Sequence, residues 1–142
     1  MIGTISGRGT NEAIFTREES GDPKMSLDKH LELKNRTKVL ALRIIKMSDV
    51  LPKTRAANVI TNQILRSATS MAANYRAVGR ARSKAEFVAK LGIVVEEADE
   101  TVFWLEMLGD SGIVPEAKLS ELLQEANQLV MIFSSSRKTA QT

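Results

Sequence analysis

An all-α fold, an antiparallel up-down-up-down four-helix bundle, is predicted from three features of this 142-residue sequence. Apolar residues recur at alternating steps of three and four in four separate segments, each about 20 to 25 residues long. Short breaks carrying Pro52, the turn near residue 80, Gly109 and Pro115 separate them. No segment alternates with the period of two that a half-buried strand requires. Four amphipathic helices on short connections bury their stripes most simply around one common core, and the length fits one domain. No repeat of solenoid period is present.

Residues 1–25, polar, without a sustained period and closed by Gly21-Asp22-Pro23, are expected to be an N-terminal tail, and residues 26–138 are expected to make up the bundle. The first helix is expected over about 27–50. Ser26 caps it, and Asp28 complements the helix dipole in the first turn. Leu33, Thr37, Leu40, Ile44, Met47 and Leu51 make its inner stripe, and Pro52 stops it. The second helix, about 54–78, turns Ile60, Ile64, Ser67, Ala68, Met71, Tyr75 and Val78 inward. Its middle is rich in small residues, which let a neighbouring helix approach closely. Ser83-Lys84-Ala85-Glu86 has the form of a capping box, in which Ser and Glu satisfy each other's free backbone donors, so it opens the third helix. Phe87, Leu91, Val94, Ala98, Val102, Leu105 and Leu108 follow as its stripe, with Gly109 in the terminating position. Pro115 opens the fourth helix. Its stripe is Leu119, Leu122, Ala126, Leu129 and Phe133, and the helix is expected to fray over Ser134–Lys138.

Composition narrows the chemistry. There is no cysteine, which removes disulfides, thiolate metal sites and cysteine nucleophiles, and the only histidine is His30. No apolar run approaches the roughly 20 residues of a membrane span, and no signal-peptide pattern opens the chain, so a cytoplasmic location without membrane contact is expected. The acids Glu96, Glu97, Asp99 and Glu100 lack the Glu-x-x-His spacing of a di-iron bundle, so a solvated or ion-paired face is the better account. Ser26-Leu27-Asp28-Lys29 matches the Ser-x-x-Lys pattern of some acyl enzymes, but Ser26 stands where a helix cap belongs. The glycines at 3, 7 and 9 are followed by no Gly-Lys-Ser/Thr. A non-enzyme without metal or cofactor is the expectation.

Charge is more informative. Between Lys24 and Ala85 fourteen Lys or Arg residues face three acids (Asp28, Glu32, Asp49), whereas ten acids between Glu86 and Glu125 face only Lys90 and Lys118. Such asymmetry bears on partners and self-association rather than on fold. Arg76, Arg80, Arg82 and Lys84 crowd the turn between the second and third helices, and Arg55 and Arg66 lie earlier on the second helix. These six are the candidate nucleic-acid contacts, acting on phosphates without reading bases. An aromatic content of 4% argues against base stacking. A structural account competes. In an antiparallel pair turning near residue 80, Arg66 faces Glu96 or Glu97 and Arg76 faces Glu86, whereas Arg80 and Arg82 have no acid nearby. Trp104, off the inner stripe, either fills a bundle corner or, together with Glu100, makes a subunit interface. A basic half and an acidic half on one protomer suit a head-to-tail homo-oligomer.

The stretch Arg66-Ser67-Ala68-Thr69-Ser70-Met71-Ala72-Ala73-Asn74-Tyr75-Arg76, then Ala81-Arg82-Ser83-Lys84-Ala85-Glu86-Phe87, Lys90-Leu91, Glu96-Glu97-Ala98-Asp99-Glu100 and Phe103-Trp104-Leu105-Glu106 resembles the bacterial 23S rRNA intervening-sequence proteins, also labelled "S23 ribosomal protein". The resemblance covers about residues 27–135. It implies a four-helix bundle similar in fold to the accessory variability determinant of diversity-generating retroelements, a pentameric nucleic-acid binder that partners a reverse transcriptase. A homopentamer is therefore the implied assembly. RNA or DNA is one implied partner class. An unidentified protein, docked by an interaction module with no nucleic-acid role, is the alternative.

Overall fold

A computed structural model of the chain describes residues 26–142; the predicted tail, with its glycines and Gly21-Asp22-Pro23, lies outside the described residues. Four helices and no strand occur among them: α1 Leu27–Ser48, α2 Arg55–Val78, α3 Lys84–Asp110 and α4 Glu116–Gln141. Each helix packs on its chain neighbours, α4 returns to α1 more loosely, and the diagonal pairs do not pack. Residue numbers rise on one helix as they fall on the next. Gly109 lies against Leu119 and Gly92 against Arg137 across α3 and α4. Arg36 reaches Glu125 and Arg43 reaches Glu121 across α1 and α4. The bundle is antiparallel throughout.

The core is the set of four stripes read from periodicity. All predicted stripe residues are buried except Met47, which is partly buried against the cluster. His30, Ala41, Ala57, Thr101 and Val114 join them. Small residues set the α2–α3 approach: the Ser67 and Thr101 hydroxyls meet at 3.0 Å inside the interface. The carbonyls of Ile64 and Glu97, at 3.3 and 2.8 Å, complete their bonding, so neither buried hydroxyl is left unsatisfied. Ser26 accepts the Lys29 N–H at 3.1 Å, the cap predicted for it.

Two helix ends differ from the sequence reading. Gly109 does not terminate α3, which continues to Asp110; the left-handed turn residue is Gly112, with φ 79°. Gly109 instead gives α4 room, because a Cβ there would meet Leu119 Cδ1 at 3.2 Å. Nor does α4 fray at Ser134; it runs to Gln141. The serines' modest helix propensity, a few tenths of a kcal/mol each against Ala, is outweighed by tertiary contacts. Arg137 Nε donates to the Val88 carbonyl at 3.2 Å, and Ala140 packs against the core.

Candidate nucleic-acid interface

The α2–α3 turn is tight and built from backbone bonds. Arg80 and Ala81 N–H groups return to the carbonyls of Ala77 and Val78 at 3.0 and 3.1 Å. Ser83 Oγ accepts the Glu86 N–H at 3.0 Å. The reciprocal half of the box is displaced by one residue: Glu86 accepts the N–H of Arg82, at 2.6 Å, rather than that of Ser83. That bond, ahead of the Arg82 guanidinium 3.5 Å away, holds the Glu86 carboxyl below its ordinary range. The expectation that Arg82 has no acid nearby is therefore corrected. Local sequence separation hid the pair, because a helix N-terminus draws the i+4 carboxylate back toward its free N–H groups.

Arg76 does not pair with Glu86, whose carboxylate is committed to Arg82. Among the described residues Arg76, Arg80 and Lys84 have no carboxylate within ion-pair reach, and all three are exposed. The antiparallel topology then brings two further helix ends to this turn. His30 near the start of α1 meets Tyr75 at 3.0 Å, which places Lys29 and Lys34 at the same end. The Arg137–Val88 bond does the same for Arg137 and Lys138. Among the described residues Asp28, Glu32 and Glu86 are the acids there, and Glu32 already pairs with Lys29 at 3.6 Å. The α4 cations escaped sequence reasoning because the last turn was expected to fray. The even number of helices, which returns the C-terminus to the α2–α3 turn, was the signal for them.

The structure does not bring all six candidates together. Arg55 opens α2, about 30 Å from Arg76 by helix rise. Arg66 lies midway and is neutralised: its Nη2 is 2.6 Å from Glu100 and 3.2 Å from Glu97. Those bonds, Glu100 first, raise the Arg66 pKa, and the Arg66 bond likewise lowers that of Glu100. Of the two acids predicted to face Arg66, Glu97 does so and Glu96 does not. Arg66 therefore ties α2 to α3. Trp104 is half-buried, donating its indole N–H to Glu100 at 3.2 Å while the exposed Phe103 ring meets it edge-on.

Beneath the basic end lies a buried polar contact that sequence reasoning did not identify. His30 Nδ1 is 3.0 Å from the Tyr75 hydroxyl, and Tyr75 stacks on Phe133 with centroids 4.9 Å apart. Burial, then the Lys34 charge, lowers the His30 pKa to about 4, so the ring is neutral near pH 7. Burial pushes the Tyr75 hydroxyl up. Gly79 makes room for the ring: a Cβ there would stand 2.7 Å from His30 Nε2. No three His, Cys, Asp or Glu side chains among the described residues come together as a metal site, and no described helix is long and apolar enough to cross a membrane.

Fold and surface together define a class, the small antiparallel four-helix-bundle protein whose distinguishing surface is a concentration of cations at one end. The chain belongs to the 23S rRNA-intervening sequence protein family, whose model matches residues 29–135. It is similar to a protein of unknown function from the S23 ribosomal protein family of Bacteroides thetaiotaomicron VPI-5482. The two share 30% identity and superpose with a TM-score of 0.71 over 77% of this chain and 97% of that one. No curated protein matches. The family expected from the Arg66–Arg76 and Glu96–Glu100 stretches is the family found.

Proposed function

We propose that this chain is a non-enzymatic, homo-oligomeric bundle whose basic end binds the phosphate backbone of RNA or DNA without reading sequence. The observation that carries the reading is the concentration of Arg76, Arg80, Arg82 and Lys84 at the α2–α3 turn, joined by Arg137 and Lys138, with few acids near them among the described residues. Each cation contributes by displacing condensed counterions, which acts on any phosphate chain. Among the described residues this end presents no stacking platform, since the half-buried Trp104 and exposed Phe103 belong to the outer face of α3.

Fluorescence anisotropy with a labelled structured RNA tests it. Four phosphate contacts give a log–log salt slope of about −3 to −4, a loss of affinity of about 100-fold between 50 and 200 mM salt. Arg80→Ala with Arg82→Ala lowers the slope by about 2. Binding that ignores salt, or that survives the double substitution unchanged, refutes the reading and favours a protein-docking module.

A further inference from the structure

The outer faces of α1 and α3 carry matching patterns of opposite charge. On α1, Leu31 and Leu42 flank Lys38, spaced to lie along one solvent-facing stripe; Leu42 is 54% exposed. On α3, Ile93 and Phe103 flank Glu96 within about 80° of the helix circumference, and Phe103 is 47% exposed. The shorter interval is on the N-terminal side here and on the C-terminal side in α1, so the two patterns match when the helices run antiparallel. Both stripes therefore read apolar, charged, apolar over about 15 Å of helix, one basic and one acidic. Lys38 and Glu96 have no ion-pair partner among the described residues. An exposed apolar stripe on a helix that already buries another against its own core is the surface signature of an interface.

The geometry points to a heterologous subunit contact, in which the outer face of α1 on one copy docks on the outer face of α3 of the next. The occupant is a second copy of this chain because the two stripes complement each other in charge and in apolar spacing. α1 and α3 sit at diagonal corners and do not pack together within one bundle. A pair joined this way leaves one unused α1 face and one unused α3 face, so the contact propagates head-to-tail and closes as a ring when its rotation allows. This inference rests on the homo-oligomeric reading above and adds the surfaces.

Complementation of two assembly-blocked variants tests it. Leu31→Glu with Leu42→Glu disables the α1 face, and Ile93→Glu with Phe103→Glu disables the α3 face. All four side chains are exposed, so circular dichroism should show unchanged helix content; Leu42→Ser and Phe103→Ser replace them where it does not. By light scattering after size exclusion, the unaltered chain should assemble, as should Met131→Glu on the outside of α4, and each face variant should be monomeric. An equimolar mixture of the two should yield only a species of twice the 15.6 kDa chain mass, through the one intact pair of faces. Face variants that assemble like the unaltered chain overturn the interface while leaving the homo-oligomer standing. A mixture that stays monomeric overturns the head-to-tail arrangement. An unaltered chain that is monomeric overturns the oligomer and the interface together.

Discussion

Lowering the pH from 7 to 5 should destabilise this bundle through one residue. His30 is buried against Tyr75 under the α2–α3 turn, with its pKa lowered from 6.5 to about 4. Tyr75 on α2 and Lys34 on α1 offer the imidazolium no anion. Below pH 6.5 the unfolded chain takes a proton on this ring and the folded chain does not, so stability falls as pH falls, until the folded ring also protonates near pH 4. Integrating the linkage between those two values gives a loss of about 2 kcal/mol by pH 5. The window is clean because this is the sequence's only histidine. The carboxylates held low by guanidinium partners, Glu125 by Arg36 and Glu100 by Arg66, lose their contribution only as pH falls through their depressed folded values, below the ordinary carboxylate range of about 4.3. Urea unfolding at pH 7, 6 and 5 measures the loss. His30→Gln, which cannot titrate, should start from a lower stability and show almost no change between pH 7 and 5. A flat profile in the unaltered chain, an unchanged slope in His30→Gln, or an imidazole NMR titration centred near 6.5 would refute the reasoning.

Other perturbations have defined outcomes. Gly79→Ala should destabilise by about 1 to 3 kcal/mol in urea, since its methyl has no room beside the buried His30 ring; equal or greater stability would contradict the close approach. Thr101→Val should cost about 1 to 2 kcal/mol by weakening the hydroxyl pair in the α2–α3 interface. Adding Ser67→Ala should recover part of that loss, and a double-mutant cycle measures the coupling. Arg36→Ala should cost about 1 kcal/mol, because its guanidinium bonds both Glu125 oxygens, at 2.8 and 2.7 Å, in a partly buried setting. Arg43→Ala, whose single bond to Glu121 is more exposed, should cost less in the same titration.

Periodicity carried most of the fold. A residue's step within its own helix decides whether it faces inward, so the inner stripes were legible without knowing which helix packs on which. Contacts that depend on register between distant segments were not. His30 has a polar side chain near a helix start, and only the α1–α2 register places it under Gly79 and against Tyr75. The continuation of α4 past three serines is set by Arg137 reaching Val88 across to α3, a contact 49 residues apart in sequence. Glycine commonly ends a helix, yet Gly109 serves interhelical approach and Gly112 makes the turn. The basic turn was legible as a run of cations. Which of them stay free was partly legible: Arg66 was rightly expected to face an acid, but Arg82's partner depended on cap geometry.

Under the proposed function, phosphate binding depends on the position of the cations at one end and not on net charge. Two variants of equal charge change test it most directly: Arg76→Ala with Arg80→Ala at the α2–α3 end, and Lys53→Ala with Arg55→Ala at the opposite end. Anisotropy titrations of one labelled RNA at fixed low salt should show affinity falling at least tenfold for the first variant and remaining within about twofold for the second. Equal losses in the two would rule out a localised phosphate site, because the binding would then follow the summed charge of the molecule.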